Sequence, residues 1–197
     1  MNAREQQGRK IRADVLRNRA ALLDAAQRHF LRDGVGTSLE AVAKDAGVGP
    51  GTLYRHFPTR EALLAVVLQS RTAELEARRE GIAGIDDAGT ALTQWLRAME
   101  DYLSAYSGLP EPLMAATRAQ DPDNPLTVPC DELIATTDAY VRAARRTGYV
   151  RPSTTGYDLF LAACSVAWVK GTGATEESVD RLRALIANGY REPDDRT

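Results

Sequence analysis

Apolar residues recur at three- and four-residue spacing along most of this chain, a pattern that predicts helices. In the first such segment Leu22, Ala26 and Phe30 repeat in this way, and Gly34 ends it. The clearest example covers 90–106, where apolar and aromatic residues follow one another one or three positions apart. No segment alternates strictly between apolar and polar residues, as a half-buried strand does. The pattern therefore predicts an all-α chain of about nine helices.

A short second helix is predicted over 38–46. Thr37 is expected to be its N-cap, because Glu40, three residues later, completes the pattern of a capping box. Gly47 follows the helix and is expected to supply the positive φ of a tight turn.

A third helix, over 50–57, is predicted to follow that turn. Pro50 suits its first turn, where the missing backbone N–H costs nothing. Thr59 is expected to cap a fourth, longer helix. Two short helices joined by a glycine-containing turn form a helix-turn-helix. This part of the chain is therefore predicted to be a three-helix head with such a motif.

The third helix is expected to have one inward and one outward face. Leu53 and Phe57, four residues apart, lie on the inward stripe, and steps of 100° per residue define the opposite face. The outward residues are Gly51, Thr52, Tyr54 and Arg55. Small residues allow close approach to a groove, and the hydroxyl and guanidinium groups can donate hydrogen bonds there.

Composition narrows the class of protein. The chain is 44% hydrophobic and 26% charged, which is ordinary for a globular protein. Its longest apolar run, 159–169, is shorter than the roughly 20 residues that a membrane-spanning helix needs. No signal peptide is visible, and Cys130 and Cys164 stand apart without a CxxC or a histidine at ligand spacing. We expect a cytoplasmic protein with no membrane contact, no metal and no cofactor.

Charge is distributed unevenly along the chain. Residues 1–60 carry a net charge of +5, whereas residues 61–197 carry −7. This asymmetry suggests a polyanion-binding head on an acidic body. Residues 1–15 are polar and basic without an apolar stripe, so we expect a flexible arm, whose basic residues follow a DNA backbone, reach a minor groove or stay solvated. These are Arg9, Lys10 and Arg12.

The head has a specific resemblance to a known family. The stretch 37–64, TSLEAVAKDAGVGPGTLYRHFPTREALL, resembles the DNA-binding domain of the tetracycline-repressor (TetR) family of bacterial transcription regulators. With the preceding helix the resemblance covers about 15–65. It implies a homodimer whose two third helices enter successive major grooves of a pseudo-palindromic operator in double-stranded DNA. It also implies a helical C-terminal domain that dimerises and binds a small-molecule effector. The predicted domains are thus an arm (1–15), a head (16–60) and a body (61–197).

The same resemblance implies DNA contacts at particular positions. Thr37 and Ser38 would meet a phosphate at a helix start, where free N–H groups also favour an anion. The bases would be nearest to Gly51, Thr52 and Arg55. The other implied phosphate contacts are Tyr54, His56 and Arg60.

Some of these positions have an alternative interpretation. His56 points half inward and could be a packing residue, Tyr54 could only cover the domain edge, and Arg55 could pair with a phosphate instead of a base. The sequence departs from the family at Gly49-Pro50-Gly51, where a Ser or Thr and then a polar or basic residue are usual. Pro50 and its neighbours therefore leave more of the specificity to Arg55 and to DNA shape.

In the body, a set of aromatic and methionine side chains could surround an apolar or aromatic effector, or could simply form the core. The set is Trp95, Met99, Tyr102, Tyr106, Met114, Tyr140 and Trp168. The segment 157–169 is apolar nearly all round, so we expect a helix buried on every side. Its small residues and the apolar face of the last helix predict a four-helix dimer interface. The last-helix residues are Val179, Leu182, Leu185 and Ile186.

The function predicted from these observations is a DNA-binding transcriptional regulator, a repressor released from its operator by a small apolar or aromatic ligand. One alternative is a constitutive DNA-binding regulator without an effector. Another is an all-helical enzyme. Against the enzyme, the sequence contains no nucleotide-binding glycine loop, HExxH or GxSxG motif, and His29 and His56 both lie in the head.

Overall fold

The computed structural model describes the backbone of residues 3–193, with the side chains of Gln7, Arg9 and residues 12–193. This part of the chain is all-helical, as predicted. Its nine helices are α1 (Ala3–Asp33), α2 (Leu39–Asp45), α3 (Pro50–His56), α4 (Arg60–Ile82), α5 (Ala88–Leu103), α6 (Pro110–Ala119), α7 (Thr127–Arg146), α8 (Gly156–Gly171) and α9 (Glu176–Tyr190). Within residues 3–193, no helix is long and apolar enough to cross a membrane.

The chain divides into two compact units, the first ending at Leu68 and the second beginning at Gln69. The division lies inside α4, eight residues beyond the boundary expected at 60. The sequence pattern marked the start of a helix there, but the apolar face of that helix continues the first core: Leu63, Leu64 and Leu68 are buried. A helix start is therefore a poor guide to where a packed unit ends.

The first unit packs α1, α2 and α3 around one apolar core. Phe30 of α1, Val42 and Ala43 of α2, and Leu53 of α3 are all fully buried. Gly47 has a φ of 71°, as the predicted turn requires, and the next N–H, that of Val48, donates to the Ala43 carbonyl over 3.0 Å. The helix-turn-helix predicted from the sequence is thus present, with bounds close to those expected.

Two local predictions in this unit are wrong. The first helix begins at Ala3 and not near Arg17, because the N-terminal residues are mostly good helix formers and extend a helix that packing has already nucleated. The arm is therefore helical in its described part; the side chains of Arg9 and Arg12 are exposed, and that of Lys10 lies outside the described residues. The N-cap of α2 is Ser38 and not Thr37: Ser38 Oγ accepts from the Ala41 N–H over 3.2 Å.

The second unit is built on α5, α7 and α8, with α6 and α9 packed against them. Gly156, the first residue of α8, lies against Asp138 of α7, and its N–H donates to the Asp138 carboxylate over 2.6 Å. A Cβ at Gly156 would lie 2.6 Å from the Asp138 backbone nitrogen, so this helix pair needs a glycine at the contact. After α7 the chain returns to the end of α9, where Arg151 N–H donates to the Tyr190 carbonyl over 2.9 Å.

Candidate nucleic-acid interface and ligand cavity

The third helix presents a polar, open face. Leu53 is fully buried, whereas Gly51, Tyr54 and Arg55 are exposed and Thr52 is half-buried. A Cβ at Gly49 or Gly51 would meet nothing within 4 Å, so packing does not require either glycine. Because glycine has no side chain, nothing projects beyond the backbone at these two positions, and the start of α3 can approach another molecule closely.

A hydrogen-bonded group joins α2 to this face. Glu40 accepts from the Ser38 hydroxyl over 2.8 Å and from the Tyr54 hydroxyl over 3.3 Å. The Glu40 backbone N–H and the Ser38 hydroxyl stabilise the carboxylate and lower the pKa of Glu40. The group fixes the Tyr54 ring across the two helices. Its phenol donates its one proton to Glu40, so the predicted phosphate contact would have to replace this hydrogen bond.

Arg60, at the start of α4, is tied to the loop before α2. Its Nη1 donates to the Val35 carbonyl over 2.6 Å and to the Thr37 carbonyl over 2.7 Å. The guanidinium is half-buried and holds the loop that carries Thr37 and Ser38. Arg60 thus places a positive charge beside the predicted phosphate site and orders the backbone there.

Both histidines of the chain lie in the first unit, and both contact neighbouring side chains there. His56 is half-buried beside Phe57, with ring centroids 6.3 Å apart. His29 is buried, with Nδ1 3.6 Å from an Asp33 oxygen and Nε2 3.7 Å from an Asp45 oxygen. The position of His29 fits a packing role between α1 and α2.

The predicted ligand residues of the body lie mostly in its core. The Trp95 indole stacks on Tyr140, with centroids 5.5 Å apart, and donates to the Thr137 hydroxyl over 2.9 Å. Met99, Tyr102 and Tyr106 are buried, Met114 and Tyr140 are half-buried, and Trp168 is 52% exposed on the surface. Tyr102 lines a small cavity of about 80 Å³. For this set, a role in ligand binding stays a prediction.

A larger cavity, of about 370 Å³, lies between α5, α8 and α9 and is lined by none of those seven residues. Its apolar walls come from Leu96 of α5, from the aliphatic residues of α8 and from alanines and Ile186 of α9. The α8 and α9 residues are Leu159, Ala162, Ala163, Val166, Ala184, Ile186 and Ala187. Small side chains on both helices leave this space unfilled, and its volume is within the range of small-ligand sites.

Charged side chains line the same cavity. Arg183 of α9 donates from Nε to Glu100 of α5 over 2.7 Å and from Nη1 to Asp180 over 2.7 Å. The side chains of Arg183 and Glu100 are only 19% and 9% exposed. Burial raises the pKa of the Glu100 carboxyl, and the hydrogen bond from Arg183 opposes that rise. The pair connects α5 to α9 across the opening between them.

The aromatic pattern directed the ligand prediction to the other face of α5. The residues of α5 that line the cavity follow each other one or three positions apart, on one side of the helix: Thr93, Leu96, Arg97 and Glu100. The available signal was an acid on the apolar side of an amphipathic helix, since Leu96 lies four residues before Glu100 and Leu103 three residues after it. Its partner Arg183 is 83 positions away, and no local pattern connects the two.

One face of α8 and α9 is apolar and exposed in the single chain, so burial of α8 on every side would require a second copy, as the predicted dimer interface implies. Tyr157 and Trp168 of α8 are exposed, and Leu185 of α9 is 70% exposed. Val179, in contrast, is fully buried, and Leu182 and Ile186 are half-buried. Exposed large apolar residues concentrated on two neighbouring helices are typical of an interaction surface.

Both cysteines are buried free thiols, on α7 and α8. Burial raises the pKa of Cys130 to about 12 and that of Cys164 to about 12, so both are protonated and unreactive at neutral pH. Among the described residues, no group of three or more histidine, cysteine or acidic side chains could hold a metal ion.

Comparisons with known proteins agree with this arrangement. Residues 22–67 match the family described as "Bacterial regulatory proteins, tetR family", and residues 87–192 match "Transcriptional regulator SbtR-like, C-terminal domain". The HTH-type transcriptional regulator UidR of Escherichia coli is 41% identical over 69 residues, 34% of this chain. That match spans only 35% of the relative's own length.

Solved structures match over most of the chain. The TetR transcriptional regulator SCO0520 from Streptomyces coelicolor is 32% identical with a TM-score of 0.55, and the match covers 89% of this chain and 99% of that one. The ketosteroid transcriptional regulator KstR2 of Mycobacterium tuberculosis, at 19% identity and a TM-score of 0.58, shares the fold over 88% of this chain and 95% of its own. With its helix-turn-helix and its helical second unit, this chain belongs to the TetR family of DNA-binding transcriptional regulators and is not an enzyme.

Proposed function

We propose that this regulator is a repressor whose hold on its operator is released by a small molecule bound in the second unit. The observation that carries the proposal is the cavity of about 370 Å³ between α5, α8 and α9. A core packed at ordinary density leaves few voids larger than a water molecule. A space of this size with a charged rim therefore fits a ligand site better than a packing defect.

The exposed face of α3 is the proposed base-reading surface. Gly51 and Thr52 allow the helix to approach the major groove, and Arg55 offers a guanidinium for a guanine edge. The proposed phosphate contacts are the start of α2, at Thr37 and Ser38, and the side chains Tyr54, His56 and Arg60. Pro50, exposed at the first turn of α3, limits how many side chains reach the bases, which gives DNA shape a larger share of the specificity.

The proposed homodimer uses the exposed face of α8 and α9. Tyr157, Trp168 and Leu185 supply apolar surface that a second copy would cover, and the exposed Ser165 allows close helix approach. A two-fold dimer carries two third helices, and the operator of such a dimer is a pseudo-palindrome with half-sites about one helical turn apart.

Regulation follows from linkage. A ligand that prefers a conformation with weak operator affinity lowers DNA binding by the ratio of its affinities for the two conformations. Operator DNA must weaken ligand binding by the same factor. The proposal therefore requires that ligand and operator oppose each other in both directions.

The test begins with selection of random duplexes by the purified full-length protein. We expect an enriched inverted repeat that two chains bind together. A thermal-shift screen of small molecules then identifies ligands, because a ligand that binds only the folded state raises its stability by mass action. Each ligand is finally titrated into the protein–operator complex.

Release of the duplex by a stabilising ligand would support the proposal. A duplex bound equally well with and without every stabilising ligand would contradict it and favour constitutive binding. Binding of all duplexes with the same weak, salt-sensitive affinity would contradict sequence-specific repression itself.

A further inference from the structure

The charges around the cavity between α5, α8 and α9 define the class of ligand that it accepts. Three guanidinium groups line it against two carboxylates: Arg97, Arg183 and Arg191 against Glu100 and Asp180. Both carboxylates accept hydrogen bonds from Arg183, and three positive charges face two negative ones. The lining therefore carries a net positive charge at neutral pH.

Arg191 has unused hydrogen-bonding capacity at this wall. Its guanidinium lies over the Tyr149 ring at 5.1 Å and near the Tyr190 ring at 6.0 Å. Its Nε is buried and has no hydrogen-bond partner among the residues that the structure describes. A buried N–H of a cation without an acceptor is costly, so such groups usually have a function.

Arg97 provides a second cation at the same place. It is exposed, and it forms no salt bridge within the described part of the chain. Arg97, Arg191 and Thr93 also line an adjoining cavity of about 290 Å³, so the three residues mark where the two spaces meet. Two guanidinium groups and a hydroxyl at one end face aliphatic walls along the rest of the larger cavity.

We infer that this cavity binds a small amphipathic anion, with an acidic head group at Arg97 and Arg191 and an aliphatic body along α8 and α9. This inference rests on the proposed function, since it names the chemistry of the same site. A carboxylate offers oxygen acceptors that match a guanidinium, and charge-assisted hydrogen bonds of this kind are strong. The walls at Ala163, Val166 and Ala187 give the body of the ligand apolar contact.

The opposite charge is disfavoured. In the larger cavity the carboxylates are those of Glu100 and Asp180, and Arg183 already bonds both; Asp87, which lines the adjoining cavity, caps α5 by accepting from the Thr90 N–H. A neutral ligand would gain the apolar contacts but would lack the charge-assisted hydrogen bonds that an anion forms with a guanidinium. The head group, more than the body, thus sets the selectivity of this cavity.

The experiment measures binding to the full-length protein by titration calorimetry, without DNA. The probes are octanoate, octanol and octylamine, which share one aliphatic chain and differ in head-group charge. We expect octanoate to bind at least about tenfold more tightly than octanol, and octylamine to bind least. Octanol binding as tightly as octanoate, or octylamine binding better, would overturn the inference, and so would the absence of octanoate binding.

Variants locate the head group. Arg97→Gln should weaken octanoate about tenfold and leave octanol unchanged, and Arg97→Glu should weaken octanoate further. Arg146→Gln, which changes an exposed arginine at the end of α7, should change neither. Because Arg97 is exposed, these variants should keep the thermal unfolding of the parent protein. Equal octanoate affinity in Arg97→Gln and Arg146→Gln would contradict the site.

Operator release is measured separately with the selected duplex. Binding of octanoate through Arg97 without release of the duplex would support the anion site and contradict ligand-controlled repression. Release of the duplex by neutral ligands alone, unaffected by Arg97→Gln, would support repression and overturn the anion site.

Discussion

Both units of this protein have ion pairs at the surface, but the second unit also has a buried one. In the first unit, Asp33 and Asp45 form ion pairs with neighbouring arginines at the surface, and these hydrogen bonds lower the pKa of both carboxyls. In the second unit, Glu100 is buried beside Arg183, and burial raises its pKa. The surface ion pairs keep their charges in water, whereas the Glu100–Arg183 pair is largely removed from water.

This difference between surface and buried ion pairs points to the part of each unit that has a role beyond stability. Exposed ion pairs contribute little to stability, so the first unit depends on its apolar core and keeps its outer surface for a partner. A buried ion pair often costs as much in desolvation as it returns in attraction. Its presence beside a cavity in the second unit therefore fits a role in ligand binding better than a role in stability.

The largest effect should come from the core under the polar face of α3. Leu53→Ala removes a fully buried side chain and should destabilise the protein by about 3 kcal/mol. Thermal unfolding followed by circular dichroism measures this change. Arg55→Ala, two residues away and exposed, is the matched control and should leave stability unchanged.

The second unit should respond to removal of one member of its buried pair. Glu100→Leu leaves Arg183 with only Asp180, and we expect a loss of about 2 kcal/mol. The double variant Glu100→Leu, Arg183→Leu should recover most of it, since neither ion is then desolvated. A double variant as unstable as the sum of both single variants would mean that Glu100 and Arg183 are not energetically coupled.

Arg55→Ala should weaken binding of the selected duplex about tenfold or more and relax the preference for one base pair. The reason is that Arg55 is the longest hydrogen-bond donor on the exposed face of α3. Competition binding against single-base variants of the duplex measures both effects. A uniform loss across all sequences would assign Arg55 to a phosphate instead.

A smaller effect should separate folding from DNA binding at Gly51. Gly51→Ala should stabilise α3 by about 0.8 kcal/mol, because a Cβ there meets nothing within 4 Å and alanine favours helices. The same change should weaken operator binding, since the added methyl group holds the helix away from the groove. An operator affinity equal to that of the parent protein would show that the backbone of α3 does not approach the DNA closely at this position.

The smallest effect should be the pH dependence, with opposite signs in the two units. Three carboxyls of the first unit have a lowered pKa: those of Asp33, Glu40 and Asp45. They stabilise the folded state at pH values above the ordinary carboxyl pKa of about 4, and this stabilisation is lost as the pH falls further. Glu100 has a raised pKa, so its contribution rises as pH falls towards that ordinary value. The free energy of unfolding of Glu100→Gln should lack this increase towards low pH. An unchanged pH profile in that variant would contradict the assignment.

The N-caps mark where local patterns sufficed and where they did not. Thr59 caps α4 as predicted, by accepting from the Ala62 N–H over 3.1 Å. At α2 the capping pattern fitted Thr37, yet Ser38 is the cap, and the Thr37 carbonyl instead accepts from Arg60. Thr37 and Ser38 are adjacent hydroxyl residues, and both nearly fit the capping pattern. The cap at Ser38 is accompanied by the hydrogen bond from Arg60, 23 positions away in the sequence, to the Thr37 carbonyl.

The helices, the helix-turn-helix and the two faces of α3 could be predicted from the amino-acid sequence. Leu53 inward and Arg55 outward follow from the 3.6-residue period, which depends only on neighbouring residues. The family followed from the same short stretch.

The side of α5 that lines a cavity could not be predicted from the sequence. That side depends on how far apart the helices pack, and on side chains such as Glu100 and Arg183 that lie far apart in the sequence. The aromatic side of α5 looked like a ligand site because aromatic residues suit both a core and a pocket. Packing placed Trp95 and Met99 in the core and left the space beside the small residues of α8 and α9.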